Sequence, residues 1–399
     1  MFEHIDAYPG DPILSLNENF AKDPRTNKVN LSIGIYYDDD GRLPVMQAVR
    51  QAEALLLAEV GPKPYLPMAG FANYRDAVQA LVFGEDSPAR AAGSIATVQT
   101  LGGSGALKVG ADFIKRYFPG SQVWVSDPTW DNHRFIFERA GFTVNTYPYY
   151  DEATGGLQFE AMVDAIDKLP ARSVVLLHAC CHNPTGVDLN DAQWVQLIDV
   201  VKKRELLPFV DMAYQGFGSG IDADAFVIRE LARQGVPAFV ANSFSKNFSL
   251  YGERCGGLSV ICESAEAAER VLGQLTSAVR SNYSNPPTHG AKIVAKVLST
   301  PELRKSWETE LADMCQRITR MRSAIHDGLR GHVPENMLSR YLEQRGMFTY
   351  TGLSASQVDV LREAHGVYLI RSGRMCVAGL NEKNVGVVAN SIAKVLSNA

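Results

Sequence analysis

Six short runs of apolar, largely β-branched residues constrain the fold of this chain more than any other feature. They span residues 97–100, 123–126, 173–178, 207–211, 239–243 and 257–262. Continuous apolar runs of this length are typical of strands covered on both faces, and helical periodicity separates them, as in residues 106–118. This alternation predicts an α/β fold with a mostly parallel sheet. Ligands of such sheets bind at the carboxyl ends of the strands, so the residues after each run are the candidates for chemistry.

A long helical pattern divides the chain. Residues 301–330 are charged and periodic, with an apolar stripe of Leu303, Trp307, Leu311, Met314, Ile318 and Met321. We interpret this segment as a helix that leads into a second lobe. Shorter runs follow it, at 347–350 and 374–377, and they predict a smaller α+β unit. A length of 399 residues accommodates two such domains.

Charge and hydropathy restrict the class of partner. The chain has 39 basic and 44 acidic side chains, for a net charge of −5, so we expect neither nucleic acid nor an anionic membrane as a partner. No apolar stretch reaches membrane-spanning length. The start carries Glu3 and Asp6 instead of a basic and apolar signal. These features predict a cytoplasmic protein that acts on small molecules.

The six cysteines are too sparse for a disulfide scaffold, so we expect reduced thiols. His178, Cys180, Cys181 and His182 form a dense set of potential metal ligands. Their spacing matches no common zinc motif, and the adjacent cysteines would face opposite ways on a strand. We therefore predict ordinary packing here and no metal site.

A glycine-rich turn follows the first run and opens a helix. Its residues include Gly103, Ser104 and Gly105, and free amides at a helix N-terminus bind anions well. The competing interpretation is a dinucleotide-binding fingerprint, for which Asp127 would be the acidic residue. Lys108 occupies the position of the third glycine. This segment alone leaves a phosphate cradle and a plain tight turn open.

Two further strand ends carry ionisable side chains. Lys246 leaves a buried run and is accompanied by Ser243 and Arg254. A desolvated lysine is suited to forming a Schiff base, and its neighbours suit a phosphate, although a surface lysine is the simpler alternative. Asp211 closes another run; it could cap a helix or keep a pyridine nitrogen protonated. Asn183 lies in a fourth strand end, within an Asn-Pro turn signal.

Taken together, the strand ends resemble the fold type I pyridoxal-phosphate enzymes, specifically the class I aminotransferases of the aspartate and aromatic amino acid group. The resemblance runs end to end and includes the segments beginning at Asp11, Asn30, Trp130, His178, Asp211, Ser243, Tyr283 and Ser372. A small departure is Cys255, where relatives usually have an aliphatic residue. The family implies a large domain at 46–312 with a mostly parallel seven-stranded sheet between helices. It also implies an arm at 1–45, part of which joins a small domain at 313–399.

The resemblance assigns catalytic roles by position. Lys246 would hold pyridoxal phosphate covalently and move the substrate proton, and Asp211 would pair with the pyridine nitrogen. His133 would orient that carboxylate. Tyr214 and Asn183 would bind the phenolic oxygen of the ring. The ring itself would stack on Trp130.

It also implies how the phosphate and substrate are held. The phosphate ligands would be Gly103, Ser104, Ser243, Arg254 and, from a second subunit, Tyr65. Activity would then require a homodimer. Arg374 would bind the substrate α-carboxylate with help from Asn183 and the backbone of Gly34. Arg280 would bind a distal carboxylate across the dimer.

Substrate choice depends on the pocket walls. Ile35, Tyr37 and Leu43 are larger or more apolar than the residues typical of the aspartate branch, which favours aromatic donors. We therefore predict an aromatic amino acid aminotransferase that uses 2-oxoglutarate and retains activity on aspartate and glutamate. The alternatives are a dedicated aspartate aminotransferase, a nicotinamide-dependent dehydrogenase and a non-catalytic regulatory protein with this fold.

Overall fold

The structure, a computed structural model, describes residues 1–7, 10, 12–59 and 61–397. Asp11, which begins the first segment of the predicted family resemblance, lies outside the described residues. The strands are β1 Val29–Asn30, β2 Ile95–Leu101, β3 Val123–Asp127, β4 Val144–Pro148, β5 Val174–His178, β6 Leu207–Met212, β7 Ala238–Ser243, β8 Cys255–Ile261, β9 Phe348–Tyr350, β10 Val367–Tyr368 and β11 Arg374–Cys376.

Helices cover both faces of the main sheet and build most of the remaining chain. They are α1 Pro12–Lys22, α2 Gln47–Ala58, α3 Ala72–Phe83, α4 Pro88–Ala91, α5 Gly102–Tyr117, α6 Asp131–Arg139, α7 Phe159–Ile166, α8 Asp191–Lys203, α9 Phe226–Arg233, α10 Ala265–Asn282, α11 His289–Ser299, α12 Pro301–Leu329, α13 Glu335–Leu338, α14 Arg340–Glu343, α15 Ala355–His365 and α16 Val385–Ser397. No helix of the described ranges is both long and apolar enough to cross a membrane.

Seven strands form one sheet in the order β2-β8-β7-β6-β5-β3-β4. The strand β8 runs antiparallel to both neighbours, and the other pairings are parallel. The predicted mostly parallel α/β sheet is therefore confirmed. All six apolar runs form strands in the structure. The pattern missed β4 because this edge strand is only partly buried and includes Asn145, Thr146 and Pro148.

Close packing between helix and sheet requires a glycine on α5. A Cβ atom built on Gly110 would lie 2.6 Å from the ring of Phe209 in β6. That ring is fully buried. The absence of a side chain at this position therefore lets α5 approach the sheet and brings its N-terminus to the end of β2.

The predicted long helix is present as α12, and its apolar stripe is buried. Beyond it, β11 pairs antiparallel with β9, whereas β1 pairs in parallel with β10. The contact between β1 and β10 joins the N-terminal segment to the last part of the chain, as the predicted grouping of 1–45 with 313–399 requires. The domain bounds themselves stay a prediction.

The cysteine pair does not lie on a strand. The strand β5 ends at His178, and Cys181 has a left-handed backbone with φ of 51°. The expectation that Cys180 and Cys181 face opposite ways is therefore wrong. Their sulfurs and a carboxylate oxygen of Asp224 all lie within 4.8 Å of one another.

The close approach at Gly110 predicts opposite effects for two glycine substitutions. Gly110→Ala should lower the free energy of unfolding by about 1–3 kcal/mol because the new methyl overpacks the Phe209 ring. Gly273→Ala in α10, where a Cβ meets nothing within 4 Å, should raise it by roughly 0.5–1 kcal/mol through helix propensity. Urea unfolding at one fixed protein concentration measures both. Equal effects of the two substitutions would contradict this packing.

Candidate active site

The carboxyl ends of the parallel strands open into one cavity of about 170 Å³. Its lining includes many of the residues predicted from the sequence, namely Gly34, Trp130, Asn183, Asp211, Tyr214, Lys246 and Arg374. Asn183, Asp211 and Lys246 meet because the strands that precede them, β5, β6 and β7, are neighbours in the sheet. The cavity thus joins a lysine, a carboxylate and a guanidinium.

Asp211 provides a buried charge at the floor of the cavity. Its Oδ2 lies 3.0 Å from Nε2 of His133, and Nδ1 of His133 lies 2.8 Å from the Thr129 hydroxyl. Burial acts to raise the pKa of Asp211, but the hydrogen bond from His133 and the charge of Lys246 hold it below its usual range. The other oxygen, Oδ1, is buried without a hydrogen-bond partner among the described residues. The carboxylate is therefore ionised and has one oxygen available to a ligand.

Lys246 lies just beyond β7, and its amine is unusually easy to deprotonate. Burial lowers the pKa of Lys246 to about 8, although the nearby Asp211 acts in the opposite direction. The charge of Arg254 lowers it further. The ammonium nitrogen lies 4.7 Å from the centroid of the Tyr214 ring. A substantial share of neutral amine near neutral pH makes this lysine a competent nucleophile and base.

The N-terminus of α5 and Arg254 form a pocket for an anion. Gly102, with φ of 66°, places its backbone so close to Arg254 that a Cβ would lie 2.7 Å from Nη2. A Cβ on the next residue, Gly103, would lie 3.4 Å from the Cβ atom of Ser243. Ser104 continues the first turn of the helix. The first turn of α5, the Ser243 side chain and the Arg254 guanidinium thus lie close together, and a side chain at Gly102 would collide with Arg254.

Arg374 is fixed in place by neighbours from distant parts of the chain. Its Nη1 donates to Oδ1 of Asn183 at 3.2 Å, and its Nη2 donates to the carbonyl of Ser32 at 2.7 Å. The guanidinium lies 4.5 Å from the centroid of the Phe348 ring. Phe348 also approaches Gly34 so closely that a Cβ there would lie 2.8 Å from the ring. This arginine is buried and already oriented before any ligand arrives.

Tyr65 and Arg280 lie apart from this cavity. They line a different depression of about 740 Å³, together with Leu101 at the end of β2. Tyr65 is 90% exposed. Arg280 donates to the hydroxyl of Ser284 and forms no ion pair within the described ranges. One copy of the chain therefore does not bring these two residues to Lys246.

Sequence reasoning did not single out several residues of the cavity. His178 lies at the end of β5, so the rule that selected Asp211 could have selected it as a cavity residue too. Phe348 lies in the apolar run 347–350, but its strand belongs to a different sheet, so the rule for the strand ends of the main sheet did not select it. Thr129 contacts His133, and Ser245 accepts a hydrogen bond from Arg254 at 3.3 Å. No residue spacing in the sequence predicts these two contacts.

The geometry agrees with comparisons to known proteins. The sequence model of the family described as aminotransferase class I and II matches residues 26–392. The chain belongs to this family. It is 59% identical to the aromatic-amino-acid aminotransferase of Escherichia coli K12 over 397 residues, which cover 99% of this chain and 100% of that protein.

Solved structures support the same assignment. An aromatic amino acid aminotransferase from Burkholderia cenocepacia J2315 is 77% identical, with a TM-score of 0.97 and full coverage of both chains. The aromatic-amino-acid aminotransferase from Burkholderia pseudomallei, covalently bound to pyridoxal phosphate, is 52% identical, with a TM-score of 0.97 over 99% of each chain. The chain is therefore an aminotransferase that depends on pyridoxal phosphate, and the dehydrogenase and non-catalytic alternatives are excluded.

The residues of the cavity fit this cofactor. The unpartnered Oδ1 of Asp211 offers an acceptor for a protonated pyridine nitrogen. The amine of Lys246 offers a site for the covalent bond, and the glycine pocket beside Arg254 suits a phosphate. The cofactor would therefore satisfy a buried polar atom that has no partner in the described chain.

His178 makes the unfolding free energy depend on pH. Burial and the neighbouring His133 lower the pKa of His178 from 6.5 to about 3, so the unfolded chain binds the proton first as the pH falls. Stability is then lost progressively below about pH 6.5, by about 2 kcal/mol at about pH 5. His178→Phe should remove this loss, because neither ring nitrogen has a hydrogen-bond partner in the described chain.

The measurement is urea unfolding of the cofactor-free protein at about pH 7.5 and about pH 5. His332→Phe, at an exposed position, is the matched control and should keep the wild-type pH dependence. An unchanged pH dependence in His178→Phe would show that His178 titrates normally.

Proposed function

We propose that this aminotransferase transfers the amino group of tyrosine, phenylalanine and tryptophan to 2-oxoglutarate and also accepts aspartate and glutamate. The observation that carries the proposal is the single cavity in which Lys246, the open carboxylate oxygen of Asp211 and the oriented Arg374 meet. The names of the similar proteins support the aromatic class of donor.

Each residue around the cofactor has a separate role in the reaction. Bound pyridoxal phosphate supplies an electron sink for the bond that breaks at the substrate Cα. Lys246 would anchor the cofactor, and its free Nζ would move the substrate proton between Cα and the C4′ carbon of the cofactor. Asp211 holds a proton on the pyridine nitrogen, and His133 keeps that carboxylate ionised and oriented.

Other side chains position the cofactor. Tyr214 and Asn183 donate hydrogen bonds to its phenolic oxygen, and Trp130 stacks against its ring. The phosphate is bound by Gly103, Ser104, Ser243 and Arg254, with Tyr65 from a second subunit. The pocket beside Arg254 and the N-terminus of α5 support these phosphate contacts.

Two arginines distinguish the ends of the substrate. Arg374, assisted by Asn183 and Gly34, binds the α-carboxylate that all donors share. Arg280 binds the distal carboxylate of a dicarboxylic acid. Apolar walls that include Ile35 and Tyr37 remove water from an aromatic side chain. A dedicated aspartate aminotransferase remains the second candidate function, and Arg280 is the residue that favours it.

We further propose that the enzyme is a cytoplasmic homodimer with shared sites. Tyr65 is 90% exposed, and other large apolar side chains of the N-terminal region are also exposed: Met1, Phe2, Ile5, Leu43, Val45 and Met68. Burial of this surface against a second copy would stabilise a dimer. It would also bring Tyr65 and Arg280 to the site of the partner.

The donor specificity is tested by single-turnover absorbance titration of the pyridoxal-loaded enzyme. Phenylalanine, tyrosine, aspartate and glutamate are added separately without an oxo-acid. We expect all four to convert the enzyme to its pyridoxamine form, with higher kcat/KM for the aromatic donors. Rapid conversion by the dicarboxylates alone would instead assign the enzyme to the aspartate branch.

Mixing two variants that are each impaired on aspartate tests the shared site. Arg280→Leu should lower kcat/KM for aspartate at least about thirtyfold, because loss of one member of a charged pair costs about 2–5 kcal/mol, and should affect phenylalanine far less. Lys246→Ala should abolish activity on both donors. In a hybrid dimer, one site combines the intact Lys246 with the partner's intact Arg280.

Equal mixing with subunit exchange should therefore restore about one quarter of the wild-type activity on aspartate, since half of the dimers are hybrids with one intact site each. Each variant incubated alone under the same exchange conditions is the control and should show no recovery of activity on aspartate. Absence of recovery after verified exchange would place Arg280 in the same subunit's site.

A further inference from the structure

The turn that carries Asn183 also brings two thiols and a carboxylate together. The sulfurs of Cys180 and Cys181 and an oxygen of Asp224 lie within 4.8 Å of one another, and all three residues are buried. Cys181 has a left-handed backbone conformation, so its side chain does not follow the alternating directions of side chains on a strand. This arrangement belongs to none of the cofactor or substrate contacts described above.

Two carboxylates lie at this cluster, and the charges of Arg345 and Arg322 also act on it. Asp224 accepts hydrogen bonds from the backbone amides of Gly216, Gly218 and Ser219 at 2.7–2.9 Å. A second carboxylate, the half-buried Asp188, accepts from the amides of Cys181 and His182. Within the described chain, neither carboxylate has a cationic nitrogen within ion-pair distance. Asp224 can therefore contribute an oxygen to a bound cation without first losing an ion pair.

The cluster is connected to solvent. Cys180, Asp188 and Asp224 line a cavity of about 680 Å³. Residues 343–345 form part of its wall, and Arg345 donates to the hydroxyl of Ser219. An ion entering through this cavity would reach Cys180 and Asp224, and the sulfur of Cys181 lies within 4.8 Å of their ligand atoms. This route does not pass through the site of Lys246, which lines a separate cavity.

We propose that Cys180, Cys181 and Asp224 form a binding site for a thiophilic divalent cation of the zinc class. Two thiolates and one carboxylate oxygen are a ligand set that Zn²⁺ and Cd²⁺ accept, and water from the cavity completes a tetrahedron. Ligand atoms about 2.0–2.3 Å from zinc lie roughly 3.5–3.8 Å apart in a tetrahedron. Each pair of ligand atoms needs to approach by about 1.3 Å at most from the present spacing of 4.8 Å or less.

Binding of the metal ion releases protons from the thiols, so charge is conserved. Each thiol loses its proton to solvent when its sulfur bonds to the metal, while no electron is transferred and no oxidant is needed. The affinity should therefore rise with pH. The sequence alone predicted no metal site, since adjacent cysteines fit no common zinc motif, and only the folded turn shows the third ligand.

The test uses the holoenzyme after chelator treatment, in a phosphine reductant and without free cofactor or amino acids, which would themselves bind metal. Equilibrium dialysis against micromolar Zn²⁺ should give one ion per subunit. Titration with Cd²⁺ should produce a thiolate-to-metal charge-transfer band with the intensity of two thiolates, together with the release of both thiol protons per ion.

Cys180→Ser and Cys181→Ser should each weaken metal binding at least about 100-fold, since even outer-shell changes typically cost 10–100-fold. Cys262→Ser is the matched control. That cysteine is also buried, but it follows β8 and donates to the carbonyl of Val260, so its replacement should leave both binding and activity unchanged.

Three results would overturn the proposal. These are the absence of a thiolate band in the wild-type titration, an unchanged affinity when both cysteines are replaced, and an equal loss in Cys262→Ser. The band is measured on the unaltered enzyme, so it decides the question even where a serine variant folds poorly.

Discussion

The rest of the site depends on a buried carboxylate that the chain satisfies only in part. Asp211 is 5% exposed, and a charge so placed is costly unless it is paired. His133 contacts Oδ2 at 3.0 Å, while Oδ1 faces no partner in the described chain. A protonated pyridine nitrogen would supply the missing contact. The polar core and the cofactor are thus complementary, because each stabilises the ionised form that the other requires.

The sequence predicted the residues that follow neighbouring strands, and the reason is geometric. Asn183, Asp211 and Lys246 come after or at the ends of β5, β6 and β7, which are adjacent in the sheet. Parallel strands align their carboxyl ends, so strand order alone brings these side chains together. Arg374 is different, because it lies in another sheet and is held by Ser32, 342 residues away in sequence. Only the family resemblance predicted its place.

The failures of the sequence analysis also have physical causes. The strand β4 lies at the sheet edge, where partial burial allows polar residues and removes the apolar run that marks a strand. The sequence analysis placed Cys180 and Cys181 on a strand, where successive side chains point to opposite faces. The strand β5 ends before them, and Cys181 has a left-handed φ that is not compatible with a strand. Local periodicity does not predict such a turn, because the backbone amides of Cys181 and His182 donate to the side chain of Asp188.

The contrast between the two arginines gives a physical basis for the proposed dual specificity. Arg374 is buried and held by two hydrogen bonds before substrate arrives, which suits the α-carboxylate that every donor presents. Arg280 is solvated, and within the described residues its guanidinium donates to the hydroxyl of Ser284 and forms no ion pair. A solvated arginine can move away from an aromatic ring without leaving a buried charge unpaired, whereas a buried one could not. In the proposed dimer, a variable contact at the surface of the second subunit would let one site accept both classes of donor.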